Sequence, residues 1–306
     1  MLGARNGHVI VGGSPMHYNV FGRGTEHLVL IPGLGDGLRT VKGMAPVMAW
    51  IFRAYARDHR VWVLSRKDVL EPGTTTRDMA RDLDEAMEHL GIPAARVMGV
   101  SQGGMIAQWL AIDAPERVRR LVIAVSLATQ NDTSRSVIGN WVRLAERDRF
   151  GELAVDTMRK TYTEKGLRRW RPFMWLVRMT GKPQSKERFL LQARSCLSHD
   201  ALSELGRIRC PVLVIGGARD QIVGGAETQE AMAAAIPDSA LHLYPDQGHA
   251  AYEEAKDFND VVLAFFRGDA AAPTPMRSPG AVAHPRTLAP RSPSGRSATL
   301  TPRSDP

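Results

Sequence analysis

The sequence predicts an α/β protein: a mostly parallel, eight-stranded sheet flanked by helices and interrupted by one inserted helical segment. Three observations predict it. Eight short strand-like runs, most of them rich in Val, Ile and Leu, recur along the 306 residues, the composition of strands buried in a sheet. From the third run onward, most gaps are long enough to hold a helix, and parallel neighbours require such crossovers. Between Val125 and Val212 that rhythm stops for more than 80 residues.

In chain order, His8-Val9-Ile10-Val11 and Met16-His17-Tyr18-Asn19-Val20 flank Gly12-Gly13-Ser14-Pro15 and predict an antiparallel hairpin. Leu28 to Ile31 is the third run and leads into Pro32-Gly33-Leu34-Gly35-Asp36-Gly37; Val61 to Leu64 is the fourth. Residues 76–90 place Met79, Leu83, Met87 and Leu90 on one helical face, with Thr76 or Asp78 as the cap. The fifth run, Arg96 to Val100, precedes a breaker-free segment, Met105 to Ala111, that reads as a helix; Leu121 to Val125 is the sixth. The interruption is helix-like and Arg-rich and holds Trp141, Trp170 and Trp175. Val212 to Ile215 and Leu241 to Tyr244 complete the sheet. Beyond Gly268 the chain turns to Pro, Ser, Ala and Arg, with too few large apolar residues to pack, so a disordered tail is expected. The expected organisation is a core over 1–126 and 207–267, a helical cap over 127–206 and a tail over 268–306.

Bulk properties exclude several classes. A hydrophobic content of 43% supports a substantial core. No apolar run approaches the roughly 18 residues needed to cross a bilayer, and the N-terminus lacks the apolar stretch of a secretory signal, so no membrane partner is expected. Two cysteines, Cys196 and Cys210, have no metal-ligand spacing; no metal and a reducing, cytoplasmic setting are expected. The net charge of +8 raises nucleic acid as a partner. Its location argues otherwise. Residues 127–206 carry 15 Lys and Arg against 9 Asp and Glu, the tail 5 against 2, and the rest is close to neutral. Neither basic segment alternates aromatic and basic residues as base recognition does, so no nucleic acid is expected.

Chemistry is signalled by Gly99-Val100-Ser101-Gln102-Gly103, which fits G-x-S-x-G between a strand and a helix. The glycines allow a tight reversal that pushes the serine out of both elements. A serine hydroxyl needs a base, and the base needs an orienting carboxylate. Of the nine histidines, His249 sits in a loop directly after the last strand, in Tyr244-Pro245-Asp246-Gln247-Gly248-His249. Asp220 lies just beyond the seventh strand, so Ser101, Asp220 and His249 all fall at carboxyl ends of strands, where such sheets carry their sites. Asp132 is the reserve acid, and Asp246 is nearer His249 in sequence only. The backbone N–H groups of Gln102 and Leu34 are expected to form the oxyanion hole. The Gly-rich loop at 33–37 does not continue as G-x-G-x-x-G, because position 38 is Leu, and no Walker lysine follows. No cofactor is expected.

With "IPGLGDG" at 31–37, "GVSQGG" at 99–104, "GGARD" at 216–220 and "DQGH" at 246–249, the chain resembles the α/β-hydrolase fold superfamily over residues 8–267. The segment "APERVRRLVIAVS" at 114–126 resembles that family too. The resemblance implies a cofactor-independent serine hydrolase with a Ser-Asp-His triad, acting on a small-molecule ester, lactone or other acyl substrate, as a carboxylesterase or lactonase. The alternatives are hydrolysis of a carbon–carbon bond in a β-diketone-like substrate by the same triad, or a non-catalytic ligand-binding member. Two departures stand out. Pro32-Gly33 replaces a common His-Gly, and Ser65 to Gly73 replaces the usual Asp-x-Arg-Gly-x-Gly. Trp141, Trp170 and Trp175, with Arg168, Arg169, Arg171 and Arg178, either line a substrate pocket or pack the cap beneath a solvated basic face.

Overall fold

The computed structural model describes residues 3–269; most of the expected tail lies outside them. The chain runs β1 (Arg5–Val11), β2 (Ser14–Phe21), β3 (Glu26–Ile31), α1 (Gly35–Leu38), α2 (Ala45–Ile51), β4 (His59–Lys67), α3 (Thr76–His89), β5 (Ala95–Val100), α4 (Gln102–Asp113) and β6 (Val118–Ala124). Then follow α5 (Asp132–Glu146), α6 (Phe150–Thr161), α7 (Glu164–Trp170), α8 (Met174–Thr180) and α9 (Lys186–Leu197). The chain returns to the sheet with β7 (Val212–Gly217), α10 (Gly225–Ala234), β8 (Ser239–Tyr244), α11 (Ala251–Glu254) and α12 (Phe258–Arg267).

The eight strands form one sheet in the order β1-β2-β4-β3-β5-β6-β7-β8. β1 and β2 pair as an antiparallel hairpin, β2 runs antiparallel to β4, and the pairings from β4 to β8 are parallel. Period-2 alternation divides the apolar runs between two covered faces. Val29, Ile31, Val97, Leu121, Ile123, Val212 and Val214 face α3, α4 and α10. Leu28, Leu30, Met98, Val122, Leu213 and Ile215 face α2 and α12. Burial on both faces explains why these strands read as continuous apolar runs. A separate apolar cluster joins α5, α6 and α9 to Met105 and to Ile222 and Val223 beyond β7.

Some local details differ from expectation. Thr75, rather than Thr76 or Asp78, caps α3, exchanging side-chain and backbone hydrogen bonds with Asp78 in a capping box. Thr76 turns inward, 2.8 Å from Nδ1 of His199. His199 is buried edge-on to Trp109 at 6.3 Å, so it ties the end of the inserted segment to α3 and α4.

Burial pushes the His199 imidazole down to about 4. Between that value and the unfolded value of about 6.5, only the unfolded chain takes the proton, so stability falls as pH drops through this window and is unaffected above it. We expect a loss of about 3 kcal/mol between pH 6.5 and 4 from this group. Urea unfolding against pH checks it. His199→Asn flattens this part of the slope, and equal slopes in variant and wild type would refute the assignment.

Candidate active site

Ser101 occupies the corner between β5 and α4 with φ 54 and ψ −119, a conformation that costs a non-glycine residue about 1–3 kcal/mol. Its neighbours leave it little choice. A Cβ on Gly103 would lie 2.0 Å from the Ile31 carbonyl oxygen, and one on Gly99 would lie 2.2 Å from the Gly103 carbonyl oxygen. The Ser101 N–H donates to the Ala124 carbonyl at 2.9 Å, and the Ser126 hydroxyl donates to the Ser101 carbonyl at 2.8 Å. Ser126 reaches that position because Val125 before it also has a positive φ, of 45. Sequence reasoning missed this pair, since a β-branched residue gives no signal for left-handed backbone.

The structure joins Asp220 and His249 directly: Asp220 Oδ2 lies 2.7 Å from His249 Nδ1. Asp220 Oδ1 accepts the backbone N–H groups of Ile222 at 2.8 Å and Val223 at 3.0 Å, which fixes the carboxylate plane. Both side chains are buried. With Nδ1 engaged, Nε2 is the nitrogen left for proton exchange. Among the described residues no hydrogen bond joins Ser101 to His249; such contacts tighten when substrate is bound. Asp246 instead pairs with Arg219 at 2.6 Å on the surface. Asp132 opens α5, behind the cap residue Asn131.

The loop after β3 passes beside the serine, so close that a Cβ on Gly33 would sit 3.3 Å from Ser101 Cβ. Leu34 caps α1 and Gln102 opens α4, so their backbone N–H groups lack intrahelical acceptors. The Gln102 side chain is buried and committed elsewhere: its Nε2 donates to the Gln192 carbonyl at 2.9 Å and its Oε1 accepts from Arg66 Nη2 at 2.8 Å. The same Arg66 nitrogen donates to the Pro32 carbonyl. One guanidinium therefore ties both expected donor segments together.

Arg66 belongs to a buried cluster with Asp36 and Arg188. Arg188 Nη2 donates to Asp36 Oδ2 at 2.6 Å, Asp36 Oδ2 also accepts the Arg66 backbone N–H at 3.2 Å, and Arg188 Nε reaches the Lys67 carbonyl at 3.2 Å. Burial pushes the Asp36 carboxyl up, but Arg66 and Arg188 overcome that and hold it below its ordinary value. Burial pulls Arg66 down to about 10, against the attraction of Asp36, so it stays charged at neutral pH. Two guanidiniums face one carboxylate, leaving a net positive charge beside the donor loop. The departure at Ser65 to Gly73 marked this loop as different but gave no sign of a charge cluster. The buried carboxylate of the cluster comes from Asp36, on the loop after β3.

The three tryptophans occupy different environments. Trp141 is buried in the α5–α6–α9 cluster and donates to Asp156 at 2.8 Å, whereas Trp170 and Trp175 are exposed on α7 and α8. The inserted segment reaches the histidine loop through Thr161, whose carbonyl accepts from the Ala250 N–H at 2.8 Å. A surface recess of about 540 Å³ lies elsewhere, lined by Gly3, Arg5, Gly22, Arg23 and Arg60 at the amino ends of the parallel strands. Among the described residues no group of three or more His, Cys, Asp or Glu could hold a metal ion.

A family model described as alpha/beta hydrolase fold matches residues 26–256. A 2-hydroxy-6-oxononadienedioate/2-hydroxy-6-oxononatrienedioate hydrolase of Pseudomonas putida is 26% identical over 265 residues, covering 82% of this chain and 91% of the relative. Among solved structures, a meta-cleavage product hydrolase from Pseudomonas fluorescens is 20% identical with a TM-score of 0.71, over 86% of this chain and 97% of that one. The enol-lactonase from Burkholderia xenovorans is 21% identical with a TM-score of 0.72, over 85% of this chain and 100% of that one. At such identities the two structures speak for the fold alone.

Two substitutions separate the roles within the charge cluster. Asp36→Asn leaves two buried guanidiniums without a counter-charge and is expected to cost about 3–5 kcal/mol, read as a lower denaturant midpoint. Arg66→Met releases the Pro32 and Gln102 segments and is expected to lower kcat about 100-fold with a smaller change in KM. Unchanged kcat would show that Arg66 does not position the donors.

Proposed function

Because the chain belongs to the alpha/beta hydrolase fold family and is an enzyme of that type, we propose that it hydrolyses a small carbonyl substrate through an acyl-enzyme on Ser101. The observation that carries this reading is the 2.7 Å contact between Asp220 and His249, at the same sheet edge as a serine held at φ 54. His249 Nε2 takes the hydroxyl proton as Ser101 Oγ adds to the carbonyl carbon. The C=O electron pair moves onto oxygen, where the Leu34 and Gln102 N–H groups donate to it. Asp220 orients the imidazole and offsets its charge. Collapse expels the leaving group, which takes the proton from His249. Water, deprotonated in turn by His249, releases the acid and restores the serine.

The nature of the leaving group divides the readings. An ester or lactone expels oxygen. A carbon–carbon bond breaks this way only if the departing electron pair is delocalised onto the oxygen of a second carbonyl, directly or through a conjugated C=C. The resulting enolate then takes the proton from His249 on carbon; a dienol substrate must first tautomerise to its keto form. The 26% identical relative is named for the second chemistry, and we favour carbon–carbon hydrolysis of a β-diketone-like substrate over ester cleavage on that ground. Helices α5–α9, within 127–206, act as the cap on a core of 1–126 and 207–267; the contacts of Thr161, Arg188 and Gln192 with the site loops support this.

A panel of a conjugated hydroxy-oxo-dienoate, an aryl ester and a lactone tests the proposal. The dienoate is expected to show the highest kcat/KM. Ser101→Ala and His249→Ala should each lower kcat by about 10⁴-fold or more, and a fluorophosphonate should label Ser101 alone. Full turnover by Ser101→Ala would overturn the acyl-enzyme, and preference for the ester or lactone would restore the esterase or lactonase reading.

A further inference from the structure

We propose that the outer face of α7 and α8 is a contact surface for an anionic lipid bilayer, on which the protein rests without crossing it. Trp170, Phe173, Trp175 and Met179 are 41%, 53%, 63% and 72% exposed, an unusual concentration of large apolar side chains in ten residues of surface. Lys165, Arg168, Arg169, Arg171 and Arg178 stand among them, all exposed. Residues 164–179 contain one acid, Glu164, which pairs with Arg171 at 3.3 Å. Among the described residues Lys165, Arg168, Arg169 and Arg178 make no ion pair.

This face is not a loosely packed edge. A Cβ on Gly151 of α6 would lie 2.5 Å from the Arg178 carbonyl oxygen, and one on Gly181 would lie 2.7 Å from Ala154 Cβ. α8 is thus seated against α6 through the backbone and the foot of the side chain of Arg178, while Trp175 and Met179 stay largely exposed. The start of α7 is tied down as well: Glu254 accepts from the Thr163 N–H at 3.0 Å and from its hydroxyl at 2.8 Å.

Charge selects the occupant. A second copy docking through the same patch would bring arginine onto arginine. An anionic headgroup layer pairs instead with the guanidiniums, while Trp and Phe settle at the boundary between headgroups and acyl chains. The expectation of no membrane partner drew on the lack of a spanning segment. No helix among the described residues is long and apolar enough to cross a membrane, but adsorption to a surface needs none. On this reading Trp170 and Trp175 meet lipid rather than substrate.

The test is co-sedimentation of the full chain with phosphatidylcholine vesicles, with and without an equal share of phosphatidylglycerol. The wild type is expected to sediment with the anionic vesicles only, and less so as salt is added. Phe173→Ser/Trp175→Ser and, separately, Arg168→Gln/Arg169→Gln/Arg178→Gln should each partition at least about tenfold less, with an unchanged thermal midpoint. No binding of the wild type to anionic vesicles overturns the proposal. So does undiminished binding of the Phe/Trp variant, which would move the contact to charge alone or to the basic segment beyond residue 267. Retention on an immobilised acidic polypeptide without vesicle binding also overturns it, in favour of a protein partner.

Discussion

A side chain at φ 54 survives only where the surrounding backbone leaves it no alternative. At Ser101 that confinement is built from three directions. Ile31 lies so close to Gly103 that no Cβ fits between them, Ala124 accepts the serine N–H, and Ser126 holds the serine carbonyl. The ends of β3, β5 and β6 are therefore a single rigid unit. The loop with Leu34 cannot shift without disturbing the serine, and the strained Val125 turn is what delivers Ser126.

The charge cluster of Arg66, Asp36 and Arg188 extends that unit. A buried ion pair is weak evidence for stability, because apolar replacement of the whole set is often neutral or better. Its geometry suggests another reason for its presence. Arg66 spends one nitrogen on the Pro32 carbonyl and the Gln102 side chain, while Arg188 reaches in from α9 to hold Asp36 and the Lys67 carbonyl. Desolvation acts against both charged partners, yet Arg66 falls only to about 10 and Asp36 stays below its ordinary range. The cluster is thus ionised at neutral pH.

The sheet was legible because its strands are buried on both faces and so carry uninterrupted apolar runs. The elbow was legible because its glycines answer to close approaches that leave no room for a Cβ. Asp220 and His249 could be picked out by their place after β7 and β8, and the nearer Asp246 proved to be a surface partner of Arg219. The charge cluster was not legible. Asp36, Arg66 and Arg188 come from distant parts of the chain, and burial, which distinguishes them from other charges, leaves no mark in composition. The tryptophans show the same limit: Trp141 is interior and Trp175 is 63% exposed, yet both stand in comparable Arg-rich sequence.

The basic charge of the inserted segment therefore divides into two populations with different work. Arg188 is buried at the site loops, and Arg168, Arg169 and Arg178 are exposed on the same helices as the exposed rings. The inner population bears on the proposed chemistry. Adding a serine to a ketone places a full charge on oxygen, and expelling carbon is harder than expelling alkoxide, so the intermediate tends to return to reactants. A long-lived oxyanion is the way forward, and neutral N–H donors alone hold it less well than donors backed by a buried positive charge. Two guanidiniums against one carboxylate, of which Arg66 bonds both expected donor segments, would supply that backing under the proposed mechanism. An ester, with its better leaving group, has less need of it, and in this respect the charge cluster favours the carbon–carbon reading.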